Sequence, residues 1–392
     1  MQRTWTVNDF PLGFEQIHPE PSINFQLNRL YHFSGDPVLL TQLRKAAPGI
    51  RDFTSLVAGL IPLAERAEGD GELLRAAMCY RGAAFVTPAS DPHRHAWWRR
   101  FRDLSNAWYG IGPEVRHVIP FGGIDIPALR FLPEGRNRGT VVLMNGFDGY
   151  LEEFTRLMLV LCGAGFEVIA FDGPGQGEVL ETSRAPMIPE WERPTAAVLD
   201  HFGLDDVTVL GFSLGGGLAV RAAAFEPRIA RVICCDVLPD LFGSLAGIAP
   251  APVRELLRRM VPLGIGRRAV NSVMSRIAAR DPLVAWGIQQ GMLVMGAEDP
   301  FDFIRATLRF RTARYSHRLT QDVLLMAGTT DHYVPIEHLH DQITTLTGVR
   351  SLSARIFTPA ESASNHCQLG NLGLAVRTVL NWLDQFAPVC EE

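Results

Sequence analysis

Val207-Thr208-Val209-Leu210-Gly211-Phe212-Ser213-Leu214-Gly215-Gly216, followed by Leu218-Ala219-Val220-Arg221-Ala222-Ala223-Ala224, reads as strand, sharp turn and helix. A β-branched apolar run leads in, a small-residue helical run leads out, and a serine sits at the apex. So strained a turn leaves no room for a Cβ beside the serine, which is why glycines stand at 211 and 215. G-x-S-x-G in this context proposes Ser213 as an attacking hydroxyl. An ordinary glycine-rich turn is the plainer alternative.

Outward from this turn the texture alternates. Residues 115–121 and 124–131 read as an opening hairpin around Gly122-Gly123. Strands are expected at 140–144, 166–171, 231–236, 322–328 and 353–357, and helices at 152–164, 192–202, 336–346 and 371–387. Short apolar strands separated by helices give an α/β fold with a mostly parallel sheet covered on both faces. Before about residue 112 the pattern is helical, with segments near 37–47, 53–67, 71–86 and 92–109. Asp91-Pro92 is a good helix start. Trp97, Trp98, Phe101 and Trp108 on the last of these helices suit a core, or the wall of a pocket. Between 240 and 318 the alternation stops and the chain is again helical. The expected division is therefore a helical N-terminal lid (1–112), a core (113–239 and 319–392) and a helical cap insertion (240–318).

A serine hydroxyl is a poor nucleophile until a base takes its proton, and that base needs an orienting carboxylate. In the chain order Ser, acid, His, two residues fit. Asp331 follows the strand 322–328, in Thr330-Asp331-His332-Tyr333-Val334-Pro335. His366 lies in a loop between the last strand and the last helix. Asp236, at the end of the strand before the cap, is the rival acid. The oxyanion requires backbone donors, expected from Leu214 N–H and from Phe147 N–H in Asn145-Gly146-Phe147-Asp148-Gly149. Asp148 either positions a polar group of the substrate or caps the following helix. Phe212, Phe242 and Leu245 are candidate substrate contacts. Leu241, Ile248, Met260, Val261 and Leu263 add to an apolar cap that suits a hydrophobic substrate. His332, His338 and His340 lack the partner spacing of a metal site and read as a surface turn and helix. Phe171-Asp172-Gly173-Pro174-Gly175-Gln176-Gly177-Glu178 lacks the Lys-Ser/Thr of a phosphate loop and reads as a turn on the pocket rim.

The 392 residues are 47% hydrophobic and 20% charged, with a net charge of −5. Arg and Lys are outnumbered by acids, against a nucleic-acid footprint. Met1-Gln2-Arg3-Thr4-Trp5-Thr6 opens without an apolar run, so no signal peptide is expected. No window has the length of a membrane span. Cys79, Cys162, Cys234, Cys235, Cys367 and Cys390 show no disulfide spacing and are expected as reduced thiols of a cytoplasmic protein. A small-molecule substrate is the expected partner, with no cofactor, metal, nucleic acid or membrane. A homodimer is left open.

Four segments in order carry a resemblance: 171–178 (FDGPGQGE), 211–216 (GFSLGG), 330–335 (TDHYVP) and 365–373 (NHCQLGNLG), with 226–236 (EPRIARVICCD) beside them. The chain resembles the α/β-hydrolases of the dihydroxypseudooxynicotine hydrolase group. It is also similar to the fungal pigment hydrolases that shorten polyketide chains (FrsA-like esterases). The likeness spans most of 115–390, and the helical N-terminal third agrees with the N-terminal lid of that family. By position it places the family's triad on Ser213, Asp331 and His366. It implies hydrolysis of a carbon–carbon bond next to a ketone, of retro-Claisen type, or of an ester. Phe212 stands where an arginine is common among relatives, and the 240–318 cap departs from them. Carboxylesterase or thioesterase action, acyl transfer or cyclisation, and binding without turnover are the alternatives.

Overall fold

The structure is a computed structural model and describes residues 4–247 and 249–386. Ile248 and Cys390 lie outside the described residues, as do Met1 to Arg3. Eight strands form one sheet among the described residues: β1 (Arg116–Phe121), β2 (Ile124–Phe131), β3 (Thr140–Met144), β4 (Glu167–Phe171), β5 (Val207–Phe212), β6 (Ile229–Cys235), β7 (Asp322–Gly328) and β8 (Ser351–Phe357). Their spatial order is β1-β2-β4-β3-β5-β6-β7-β8. β2 is antiparallel to β1 and β4, and every pairing from β4 to β8 is parallel. β3, β4, β5 and β7 are buried at every residue, as a parallel sheet with helices on both faces requires. Gly122 and Gly123 take the positive φ values (56° and 87°) of the tight β1–β2 turn, which pairs Phe121 with Ile124.

Helices 192–202 and 214–223 pack on one face of the sheet, and helices 155–163 and 372–383 on the other. The N-terminal helices Pro21–Ser34, Pro37–Ala46, Phe53–Gly69, Leu73–Val86 and Pro92–Tyr109 have a core of their own. Glu20, Asp36, Asp52 and Asp91 cap four of them by accepting backbone N–H bonds. Trp98 and Phe101 are buried in that core, Trp97 packs at its edge, and Trp108 is exposed. The helix at 21–34 escaped the sequence pattern because it buries Asn24, Gln26, Asn28, Arg29 and His32 beside its apolar residues, which blurs the stripe.

After β6, helices Leu241–Leu245, Ala251–Met260, Arg267–Ala278, Pro282–Met295 and Pro300–Thr307 form the cap. Phe242, Val261, Phe301 and Leu308 build its small core. Helices 251–260 and 267–278 bury no residue. No helix among the described residues is long and apolar enough to cross a membrane.

Candidate active site

The carboxyl edge of the sheet gathers the loops that follow β3, β5, β6, β7 and β8, which is where an open α/β sheet places its ligands. Ser213 leaves β5 with φ 59° and ψ −120°, a strained conformation for a residue with a side chain. Its N–H donates to Cys235 O at 2.9 Å. A Cβ on Gly211 would lie 2.6 Å from Gly216 N, and one on Gly215 would lie 2.5 Å from Met144 O. The turn can therefore close only with glycine at both positions. Leu214 opens the helix that follows, so its N–H belongs to the first turn, which has no intrahelical acceptor.

His366 lies 2.9 Å from Ser213 through Nε2 to Oγ, and 2.6 Å from Asp331 through Nδ1 to Oδ2. With the proton on Nδ1, the ring donates to Asp331 and Nε2 accepts from the serine hydroxyl. The other Asp331 oxygen, Oδ1, accepts from Tyr333 N at 2.7 Å and Val334 N at 2.9 Å, so the carboxylate cannot swing. Thr330 ties this loop to that of His366, donating its N–H to Ser364 O at 3.0 Å. Burial alone would favour a neutral His366, but the charge of Asp331 and the bonds that the ring donates to both acids outweigh it and raise the ring well above its ordinary range. Asp331 is lowered: burial works against its charge, and the facing His366 overcomes that.

Asp236, the rival acid, sits beside the same nitrogen, with Oδ2 3.3 Å from His366 Nδ1. It accepts from Cys367 N and, at 3.1 Å, from Gln368 Nε2. Burial and the charge of Asp331 raise its carboxyl. The structure thus brings both acids to the histidine, Asp331 the nearer. Asp236, His366 and Cys367 are also the one group of possible metal ligands among the described residues. Burial pushes the Cys367 thiol far up.

The loop 145–149 reaches the serine from the other side. A Cβ on Gly146 would lie 3.2 Å from Ser213 Cβ. Gln176 Nε2 donates to Asn145 O at 2.7 Å and Gly146 O at 3.0 Å. Asp172 accepts from Asn145 Nδ2 at 2.8 Å and Glu178 N at 2.9 Å. Its carboxyl is pushed up to about 8 by burial and by the charge of Glu152. The 171–178 turn is buried from Phe171 to Gly177 and braces this loop from behind, where the sequence suggested a pocket rim. Asp148 caps no helix: its Oδ2 accepts from Arg29 Nη1 at 3.0 Å. Phe147 packs half-buried against the core.

Phe212 corrects an expectation. Its side chain is buried in the core shared with helices 155–163 and 372–383, with its ring 5.0 Å from that of Phe154. Phe242 is buried in the cap's own core, while Leu245 and Leu263 are exposed. Phe25 of helix 21–34 lies with its ring 5.9 Å from that of His366 and 5.2 Å from that of Tyr333. Tyr333 stands edge-on to His366 at 5.2 Å. Phe25, Arg29 and Tyr333 were not singled out in the sequence. Tyr333 had a signal, since it lies two residues past Asp331.

Sheet order, serine turn and the loops meeting at it define an α/β hydrolase. Residues 139–352, more than half the chain, match the family model described as alpha/beta hydrolase fold, and the chain belongs to that family. It is an enzyme of the hydrolase class. It is 28% identical over 363 residues to the hydrolase LUC6 of a Fusarium species, covering 83% of this chain and 84% of that one. It is 35% identical over 136 residues to the 2,6-dihydropseudooxynicotine hydrolase of Paenarthrobacter nicotinovorans, covering 33% and 36%. The crystal structure of a 2,6-dihydroxy-pseudo-oxynicotine hydrolase shares the fold, with a TM-score of 0.62 and 20% identity over 92% of this chain and 95% of that one.

Proposed function

We propose that the protein is a cytoplasmic serine hydrolase that cleaves a carbon–carbon bond next to a ketone, or an ester, in a hydrophobic small molecule. The observation that carries this reading is the unbroken line from Ser213 Oγ through His366 to Asp331, at 2.9 and 2.6 Å. Ser213 attacks the carbonyl while His366 takes its proton, and Asp331 holds the ring and its developing charge. The Leu214 and Phe147 N–H groups receive the oxyanion. His366 then protonates the leaving carbanion or alkoxide, and water, activated by the same base, clears the acyl-enzyme.

Phe25 and Tyr333 beside His366 give the site an aromatic wall, which suits an aromatic or polyketide-like substrate. The carbon–carbon reading comes from the family resemblance, and its support is the likeness to a pseudooxynicotine hydrolase in part of the chain. Product analysis from a β-diketone beside a matched ester tests it. Cleavage of the diketone to an acid and a ketone supports it. Turnover of the ester alone leaves an esterase.

A further inference from the structure

We propose that Arg29 and Arg81 are positioning residues through which the N-terminal helices hold the oxyanion loop in its working shape. This rests on the reading of Phe147 N–H as an oxyanion donor. The two arginines come from different helices, 21–34 and 73–86, and their side chains are almost fully buried. They grip the same residue of the loop in two ways. Arg29 Nη1 donates to the Asp148 carboxylate at 3.0 Å, and Arg81 Nη2 donates to the Asp148 carbonyl at 3.1 Å.

Both also converge on Glu153, a fully buried carboxylate: Arg29 Nε donates to it at 2.8 Å, and Arg81 is ion-paired with it, Nε to Oε1 at 2.8 Å. Glu153 in turn accepts the N–H of Tyr150 at 3.1 Å, fixing the chain just past the loop. On the far side, Gln176 holds the carbonyls of Asn145 and Gly146. Phe147 therefore stands between two anchors, one from the core and one from the N-terminal helices.

Burying two guanidiniums around the buried carboxylate of Glu153 is a costly way to join two units, since apolar packing of equal volume often does as well. It is an effective way to fix a backbone direction, because each forked guanidinium sets its partners' positions as well as their distance. An oxyanion donor acts only when placed within a fraction of an ångström, so the cover and the oxyanion site behave as one unit.

The test uses the full chain carrying Arg81→Lys, and separately Asp148→Ala. A nitrophenyl ester reports kcat and KM, a fluorophosphonate reports the labelling rate of the serine, and thermal unfolding reports folding. The expected result is a kcat lower by about tenfold to a hundredfold with KM unchanged, and labelling slowed in step. Guanidinium ion should restore part of the rate to Arg81→Ala. Folded variants with parental kcat, or a change confined to KM, overturn the proposal. If Arg81→Lys does not fold, Asp148→Ala decides alone, because that side chain is partly exposed and leaves the Arg81 bond in place. Turnover that disappears in Ser213→Ala but persists in these variants refutes only the clamp. Turnover that survives Ser213→Ala refutes the hydrolase reading beneath it.

Discussion

Gly146→Ala puts the approach of the 145–149 loop to Ser213 under strain. A methyl at this position would lie 3.0 Å from Phe212 O, 3.2 Å from Ser213 Cβ and 3.7 Å from Ser213 Oγ. Carbon atoms settle at about 3.5–4.0 Å, so the loop or the serine must retreat by about 0.5 Å. The loop cannot retreat freely, because Gln176 holds the carbonyls on either side of the Asn145–Gly146 junction. Part of the strain therefore falls on Ser213 and part on the Phe147 N–H. Displacing a reacting group by about 1 Å costs on the order of 100-fold, so kcat should fall by about tenfold to a hundredfold. Overpacking should lower stability by about 1–3 kcal/mol. Steady-state hydrolysis of a nitrophenyl ester, with thermal unfolding measured alongside, reads both. A folded variant with undiminished kcat would refute the argument that this loop delivers the oxyanion donor.

Two more outcomes follow from the carboxyls around the site. In Asp331→Asn the fall in kcat should stop short of the roughly 10⁴-fold expected for a lone orienting acid, because Asp236 stands 3.3 Å from the same nitrogen. Adding Asp236→Asn should remove the remainder, and a double variant no slower than the single would show that Asp236 lends His366 nothing. Asp172, at about 8 when folded against an ordinary 3.8, keeps a proton that the unfolded chain has released. Its contribution is therefore full at low pH and is lost as pH rises from about 4 to about 8, by at most on the order of 5 kcal/mol. Urea unfolding across that range should show a shallower loss for Asp172→Asn, and parallel curves would contradict the buried, proton-bearing carboxyl.

The core of the fold was legible because a parallel sheet writes itself in nearly uniform apolar runs, and Gly211 and Gly215 mark a turn that admits no side chain. Asp331 and His366 were legible through chain order, since each lies in a loop that follows a strand. The helix at 21–34 was not, because its inward face carries Asn24 and Asn28, which accept from the backbone of Ile17 and Glu15 just before the helix, and Arg29, whose partner Glu153 lies far off in sequence. Periodicity counts apolar residues and cannot see a polar side chain that tertiary contacts will satisfy. The same blindness hid Arg81 and left Asp148 with a substrate contact or a local cap as its alternatives, when its partner Arg29 is 119 residues away. Phe212 and the cap show the opposite error. Apolar residues near a reactive serine suggested a pocket, but Phe212 alternates into the core and Phe242 turns into a cluster of its own.

Hydrolysis of a nitrophenyl ester by Ser213→Ala tests the central claim most directly. The triad reading predicts a fall of about 10⁶-fold, to background, in a variant that still unfolds cooperatively. Turnover that survives the loss of this one hydroxyl would contradict it.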